Sequence, residues 1–97
     1  MFIVAVTSCA TGIAHSYMSA EAIKKVAKKH GDKAKVEIQG AMGIENGLSK
    51  SDIETADMIV FANDVGITKV ERFAQYQDKT KKFSPHEVIK NPEIIYQ

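Results

Sequence analysis

The strongest constraint on how this chain can fold is the way its apolar residues change period. Phe2-Ile3-Val4-Ala5-Val6 is a continuous apolar run of strand length that breaks at Thr7 and Ser8, the pattern of a strand covered on both faces. Across residues 12–30 the spacing becomes helical. Met18, Ala22 and Val26 recur four apart, Ile23 and Ala27 flank them, and Gly31 supplies a stop. Residues 34–39 alternate Val36 and Ile38 against Lys35, Glu37 and Gln39, the period of a half-exposed strand, and residues 58–62 form a second continuous apolar run. Between them, Ser49-Lys50-Ser51-Asp52 has the form of a capping box that opens a short helix. Ser84-Pro85-His86-Glu87 repeats the device before a terminal helix that ends near Asn91. Strands separated by helices need crossover connections and a mostly parallel sheet. The expected fold is therefore α/β: a small doubly wound three-layer domain with a mostly parallel four-stranded sheet in the order 2-1-3-4 and helices on both faces. Residues 70–73 are the weaker candidate for its fourth strand, and residues 1–97 form one domain.

Composition narrows the function classes. Hydrophobic residues make up 44% and charged residues 26%, with two prolines and six glycines, as expected of a folded, water-soluble chain with one small core. A net charge of +1 offers no broad field for a polyanion, so nucleic-acid binding is not expected. The opening apolar run is too short for a signal sequence or a membrane span, which argues for a cytoplasmic protein without direct membrane insertion. A single cysteine excludes an internal disulfide, and three scattered histidines show no metal-ligand spacing, so neither a metal nor another cofactor is expected. The lysines at 24, 25, 28 and 29 read as a solvated face at a helix C-terminus, with Glu21 one turn from Lys25. His30 and His86 read as surface residues.

In doubly wound sheets, ligands bind where strands end and helices begin. The segment there is Cys9-Ala10-Thr11-Gly12-Ile13-Ala14-His15-Ser16, and it holds the only cysteine. Backbone amides converging at a helix start favour a phosphate dianion and a thiolate alike, so the loop reads as an anion cradle beside a nucleophile. Gly12 serves as a turn residue and lets an anion approach the backbone. Thr11 and Ser16 are readable either as cap residues or as hydroxyl donors to phosphate, and His15 as either a phosphate partner or a first-turn residue.

This loop, continued through Tyr17-Met18-Ser19-Ala20-Glu21-Ala22, closely resembles the phosphorylation-site signature of fructose-specific IIB domains of the bacterial sugar phosphotransferase system. The resemblance extends through 36–40, Gly43-Ile44-Glu45-Asn46, 53–62 and Asp64, about residues 2 to 73 in all. Where the family usually has proline after the cysteine, this chain has Ala10, and its aspartate-rich stretch is here Gly66-Ile67-Thr68-Lys69. The resemblance implies that Cys9 accepts a phosphoryl group from the phosphohistidine of a IIA domain and passes it to sugar bound by a membrane IIC component. The amides and side chains of residues 10–16 would cradle the phosphate, and Gln39, Gly40, Met42 and Asn46 would form a rim where partners dock. Two other readings use the same loop: a regulatory binding module switched by phosphorylation, and a low-molecular-weight phosphatase-like hydrolase. The second needs arginine six residues after the cysteine, where this chain has His15, its only arginine being Arg72. A resolving cysteine for thiol redox chemistry and the Gly-Lys-Ser/Thr ending of a nucleotide loop are both missing from the sequence.

Overall fold

A computed structural model describes residues 1–9, 13–40 and 43–96, with Ile13 described in its backbone only. Strand β1, Phe2–Ser8, runs into helix α1, Ile13–Lys29, which Gly31 closes in a left-handed conformation at φ 76°. Strand β2, Lys33–Gly40, turns back into the short strand β3, Gly43–Glu45; helix α2, Lys50–Thr55, leads to β4, Met58–Asn63. A 3-10 segment, Val70–Lys79, precedes β5, Thr80–Phe83, helix α3, Pro85–Lys90, and closing 3-10 turns at Pro92–Tyr96. The five strands lie in the order β3-β2-β1-β4-β5, all parallel except β3 against β2.

Both faces of the sheet are covered, which is why β1 and β4 read as unbroken apolar runs. Alternation sends Ile3 and Ala5 of β1 to one side, where they pack with Val36, Ile38, Val60 and, from the helices, Ala20, Ile23, Ala27 and Val88. Val4 and Val6 point the other way, onto Ile53, Ile59, Phe61 and Phe73. The Phe61 and Phe73 rings meet edge to face, with centroids 4.9 Å apart. Both capping boxes form: Ser49 and Ser84 each accept from the amide three residues on, and Asp52 and Glu87 accept in return from the cap backbone.

Four expectations are corrected. The sheet has five strands rather than four, because Gly43–Glu45 adds an antiparallel edge beside β2. The strand beside β4 is Thr80–Phe83 rather than residues 70–73. In that earlier segment only Phe73 is buried, while Val70 stays 45% exposed and Arg72 turns toward Glu37, a one-anchor pattern that a helical turn satisfies. The buried stripe of α1 runs through Ser16, Ser19, Ala20, Ile23, Val26 and Ala27, so the expected stripe holds at Ile23, Val26 and Ala27, but Met18 is 50% exposed and the first two turns bury serines instead. Glu21 pairs with Lys24, at 3.7 Å, rather than with Lys25.

Candidate functional site

Cys9 follows the last residue of β1 and is partly buried. From β1 the chain goes to β2 on one side and later to β4 on the other, so the strand order reverses around β1 and opens a crevice at its C-terminal end. The residues that close on the sulfur come from both walls of that crevice. His15, in the first turn of α1, places Nδ1 3.6 Å from Cys9 Sγ. Asp64, just past β4, places Oδ2 3.4 Å from the same sulfur as acceptor of the thiol, and its amide donates to the Ser8 carbonyl at 3.2 Å. His86, at the start of α3, meets the His15 ring edge to face with centroids 4.7 Å apart. His15 and His86 share a shallow recess of about 290 Å³ with Met18, Ile89 and Lys90.

Beneath this cluster, Thr7 and Ser16 are fully buried, and their hydroxyl oxygens have no hydrogen-bond partner among the described residues. Buried hydroxyls normally find partners, so two orphans where β1 ends and α1 begins mark unused polar capacity beside Cys9. Ser19, also buried, differs: its hydroxyl donates to the carbonyls of His15 and Ser16, at 2.9 and 3.1 Å. Tyr17 donates to the Glu45 carboxylate and ties the start of α1 to β3.

The wall carrying Asp64 is braced by a buried polar network. Glu37 of β2 is fully buried and takes two hydrogen bonds from Arg72, at 3.0 and 2.9 Å, one from the Leu48 amide at 2.8 Å and one from Gln39 Nε2 at 2.7 Å. Burial pushes the Glu37 carboxyl up. The hydrogen bonds from Arg72, Gln39 and Leu48, with the Arg72 charge, together outweigh it and hold the group below the usual carboxylate range. Gln39 then reads out the backbone of Thr68: its Nε2 donates to the Thr68 carbonyl at 2.9 Å, and its Oε1 accepts from the Thr68 amide and hydroxyl at 2.8 and 3.0 Å. Arg72 also donates to the carbonyls of Leu48 and Lys69, so the only guanidinium in the chain is committed to the scaffold.

A sequence profile described as "PTS system, Lactose/Cellobiose specific IIB subunit" matches residues 4–97. The chain belongs to this phosphotransferase-system IIB family. It is 50% identical over 72 residues to "PTS system fructose-like EIIB component 2" of Escherichia coli, spanning 74% of this chain and 68% of that one. It is 41% identical over 93 residues to the "PTS system fructose-specific EIIABC component" of Mycoplasma pneumoniae, covering 96% of this chain but 13% of the longer relative. Among solved structures, a domain of the fructose-specific IIABC component of Borrelia burgdorferi superposes with a TM-score of 0.87 at 38% identity, over 98% of this chain and 88% of that one. These relatives make this a fructose-type IIB chain, and IIB components are phosphotransferases.

Within the IIB fold, the residues expected from sequence separate into three groups. Cys9, His15 and Ser16 gather at the crevice, with Ala14 exposed beside them. Ala10, Thr11, Gly12, the Ile13 side chain and Met42 lie outside the described residues. The proposed rim disperses. Gly40 ends β2 at the crevice side, but Gln39 is only 6% exposed and its amide is used internally. Asn46 follows β3 back down the sheet edge, to a recess shared with Lys24, Ala34, Lys35 and Val36. Sequence reasoning left two site residues without a role. Asp64 could have been flagged by its place directly after a buried strand, and His86 only by knowing that β5 carries it to the crevice. Among the described residues no cluster of histidine, cysteine and carboxylate groups suits a metal ion, and no helix is long and apolar enough to cross a membrane.

Proposed function

We propose that residues 1–97 act as one IIB phosphocarrier domain in which Cys9 holds the phosphoryl group between donor and acceptor. The observation that carries the reading is the sulfur's position at the reversal of strand order, between an imidazole and a carboxylate and above two unpartnered hydroxyls. In the first step the Cys9 thiolate attacks the phosphorus of a phosphohistidine on a IIA domain. The S–P bond forms as the N–P bond breaks, and the leaving electron pair returns to the imidazole. In the second step a hydroxyl of sugar bound by a membrane IIC component attacks the same phosphorus. The O–P bond forms, the S–P bond breaks with its pair returned to Sγ, and the hydroxyl proton passes to a base on the acceptor side. A thiolate suits both steps because it is at once a good nucleophile and a good leaving group.

The chain's own residues position and neutralise rather than add covalent chemistry. The amides of residues 10–16 would receive the phosphoryl oxygens at the start of α1, and the Ser16 and Thr7 hydroxyls have capacity to donate from below. The relative that combines A, B and C portions in one chain supports donor and acceptor of these kinds. Such a domain works in the cytoplasm, at the inner membrane face through IIC, and the fructose-type relatives favour a fructose-like sugar. Hydrolysis is disfavoured, since Arg72, bound to Glu37, gives the loop no guanidinium clamp.

The decisive test is incubation with phosphorylated IIA, followed by intact-mass measurement and mapping of the modified residue. One added phosphoryl group on Cys9, discharged by sugar-loaded IIC and persistent without it, is the expected result. Modification of His15 or a serine, or rapid unaided decay with Cys9-dependent turnover of para-nitrophenyl phosphate, overturns the reading.

A further inference from the structure

The carboxylate beside the sulfur has no place in a cradle built to attract phosphate. A IIB loop that only retained its cargo would surround Cys9 with donors, yet Asp64 Oδ2 stands 3.4 Å from Sγ, opposite His15 Nδ1 at 3.6 Å. A like charge at this range opposes both a thiolate and a phosphoryl dianion on the same atom. The segment that carries it is anchored at both ends. The Asp64 amide is bonded to Ser8, and Thr68 and Lys69 are held by Gln39 and Arg72 around the buried Glu37 carboxylate. An ion pair with Glu37 1% exposed is a costly support for an ordinary surface turn, but it suits a charge that must stay within bonding distance of a reactive atom.

We infer that Asp64 is a catalytic residue of the transfer site whose negative charge weakens retention of the phosphoryl group on Cys9, with Gln39 and Thr68 as the positioning residues that hold it there. This rests on the carrier reading of Cys9. In the phosphorylated state the dianion on Sγ and the Asp64 carboxylate repel each other. That repulsion is relieved as the S–P bond breaks and phosphorus moves to the acceptor oxygen, so the carboxylate favours delivery over storage. In the unmodified state the same carboxylate accepts a hydrogen bond from the thiol, with the His15 imidazole on the other side of the sulfur.

The field at the sulfur can be read without any partner, by comparing Cys9 alkylation by iodoacetate, an anion, with alkylation by neutral iodoacetamide at one pH. Accessibility changes both rates alike, whereas a local charge changes their ratio. Asp64→Asn is expected to raise the iodoacetate-to-iodoacetamide ratio roughly three- to tenfold at low salt, less at high salt. Thr68→Val and Gln39→Met, checked by far-ultraviolet circular dichroism for retained fold, should shift the ratio the same way by a smaller factor. In the Asp64→Asn background Thr68→Val should add nothing, because its effect runs through the carboxylate. In the second arm, phosphorylated IIA and sugar-loaded IIC are supplied, and Asp64→Asn is expected to hold a larger phosphorylated fraction that discharges several-fold more slowly. An unchanged ratio in Asp64→Asn, or equal acceleration of both reagents, overturns the charge role, as does unchanged or faster discharge. If no variant accepts phosphate from IIA while the ratio shifts as stated, the carrier reading fails and the placement of the charge survives.

Discussion

The two ends of the sheet treat polar groups in opposite ways. Where the strands begin, three carboxylates are closely matched: Asp57 accepts from the Phe2 amide at 2.8 Å, Asp32 takes the Met1 ammonium at 3.0 Å and the Tyr96 hydroxyl at 2.7 Å, and Glu93 takes His30 at 2.7 Å and Lys29 at 3.0 Å. His30 also stacks on Tyr96 with centroids 4.0 Å apart. Where the strands end, the contacts to Cys9 are longer and two buried hydroxyls have no partner. The carboxylates are paired at the end that only has to hold, whereas at the end proposed to bind the Glu37 network is satisfied but two hydroxyls beside Cys9 are left unspent. Incomplete satisfaction at one edge of an otherwise well-paired domain is therefore a positional signal of function.

The largest expected effect separates the two ends cleanly. Cys9→Ser should abolish phosphoryl acceptance, followed by intact mass, while leaving the midpoint of thermal unfolding nearly unchanged; acceptance at a comparable rate would show that the sulfur is not the carrier. Arg72→Met blurs the division, because it leaves Glu37 buried without its cation. A loss of about 3–5 kcal/mol in urea unfolding is expected, together with a shift of the alkylation ratio toward that of Asp64→Asn. A loss near zero would mean that Gln39 and Leu48 suffice for the carboxylate.

At the holding end the sensitive variable is pH. Asp32 is held below its ordinary carboxylate value by the Tyr96 hydroxyl and the Met1 ammonium, and Glu93 by His30 and Lys29. Asp52 is lowered from 3.8 to about 2 by its hydrogen bond from Lys35 and by the Ser49 amide. Groups whose folded-state values are depressed contribute stability above their unfolded values and lose it as pH falls through the folded ones. Unfolding midpoints should therefore hold from neutrality to about pH 4.5 and decline toward pH 2, and Lys35→Met should remove the lowest part of that decline. Tyr96 behaves in the opposite sense: burial and Asp32 push its hydroxyl up from 10.0. Its contribution is complete below pH 10 and fades above it. The smallest effect concerns the α2 cap that Ser49 shares with Asp52, where Ser49→Ala should cost about 1 kcal/mol and leave phosphoryl acceptance untouched.

How far the sequence revealed this depends on the range of the interactions. β1, β4, α1 and both capping boxes were legible because each is written in local spacing. β5 was not, since Thr80-Lys81-Lys82-Phe83 is an edge strand whose lysines conceal its pairing with β4. β3 has three exposed residues and exists only by pairing with β2. The network around Glu37 joins residues 35 apart in sequence to Arg72, and no periodicity announces such a bond. The strand-to-helix position, and then the resemblance, led to the cysteine, while the carboxylate facing it acquired a role only from the fold that brings β4 beside β1.

Asp32 has one further consequence. One of its carboxylate oxygens holds the first residue of the chain and the other holds Tyr96, so the two terminal segments are gathered at the edge opposite Cys9. Polypeptide joined there leaves the reactive edge uncovered, as a lead fastened behind an animal leaves its mouth free. A flexible lead sets a local concentration without fixing an orientation, commonly in the millimolar range for short linkers. On the carrier proposal, a domain tethered in this way could turn its thiol first to a donor and then to an acceptor without release. Appending a flexible segment at residue 1 or 97 should accordingly leave Cys9 alkylation by iodoacetamide unchanged.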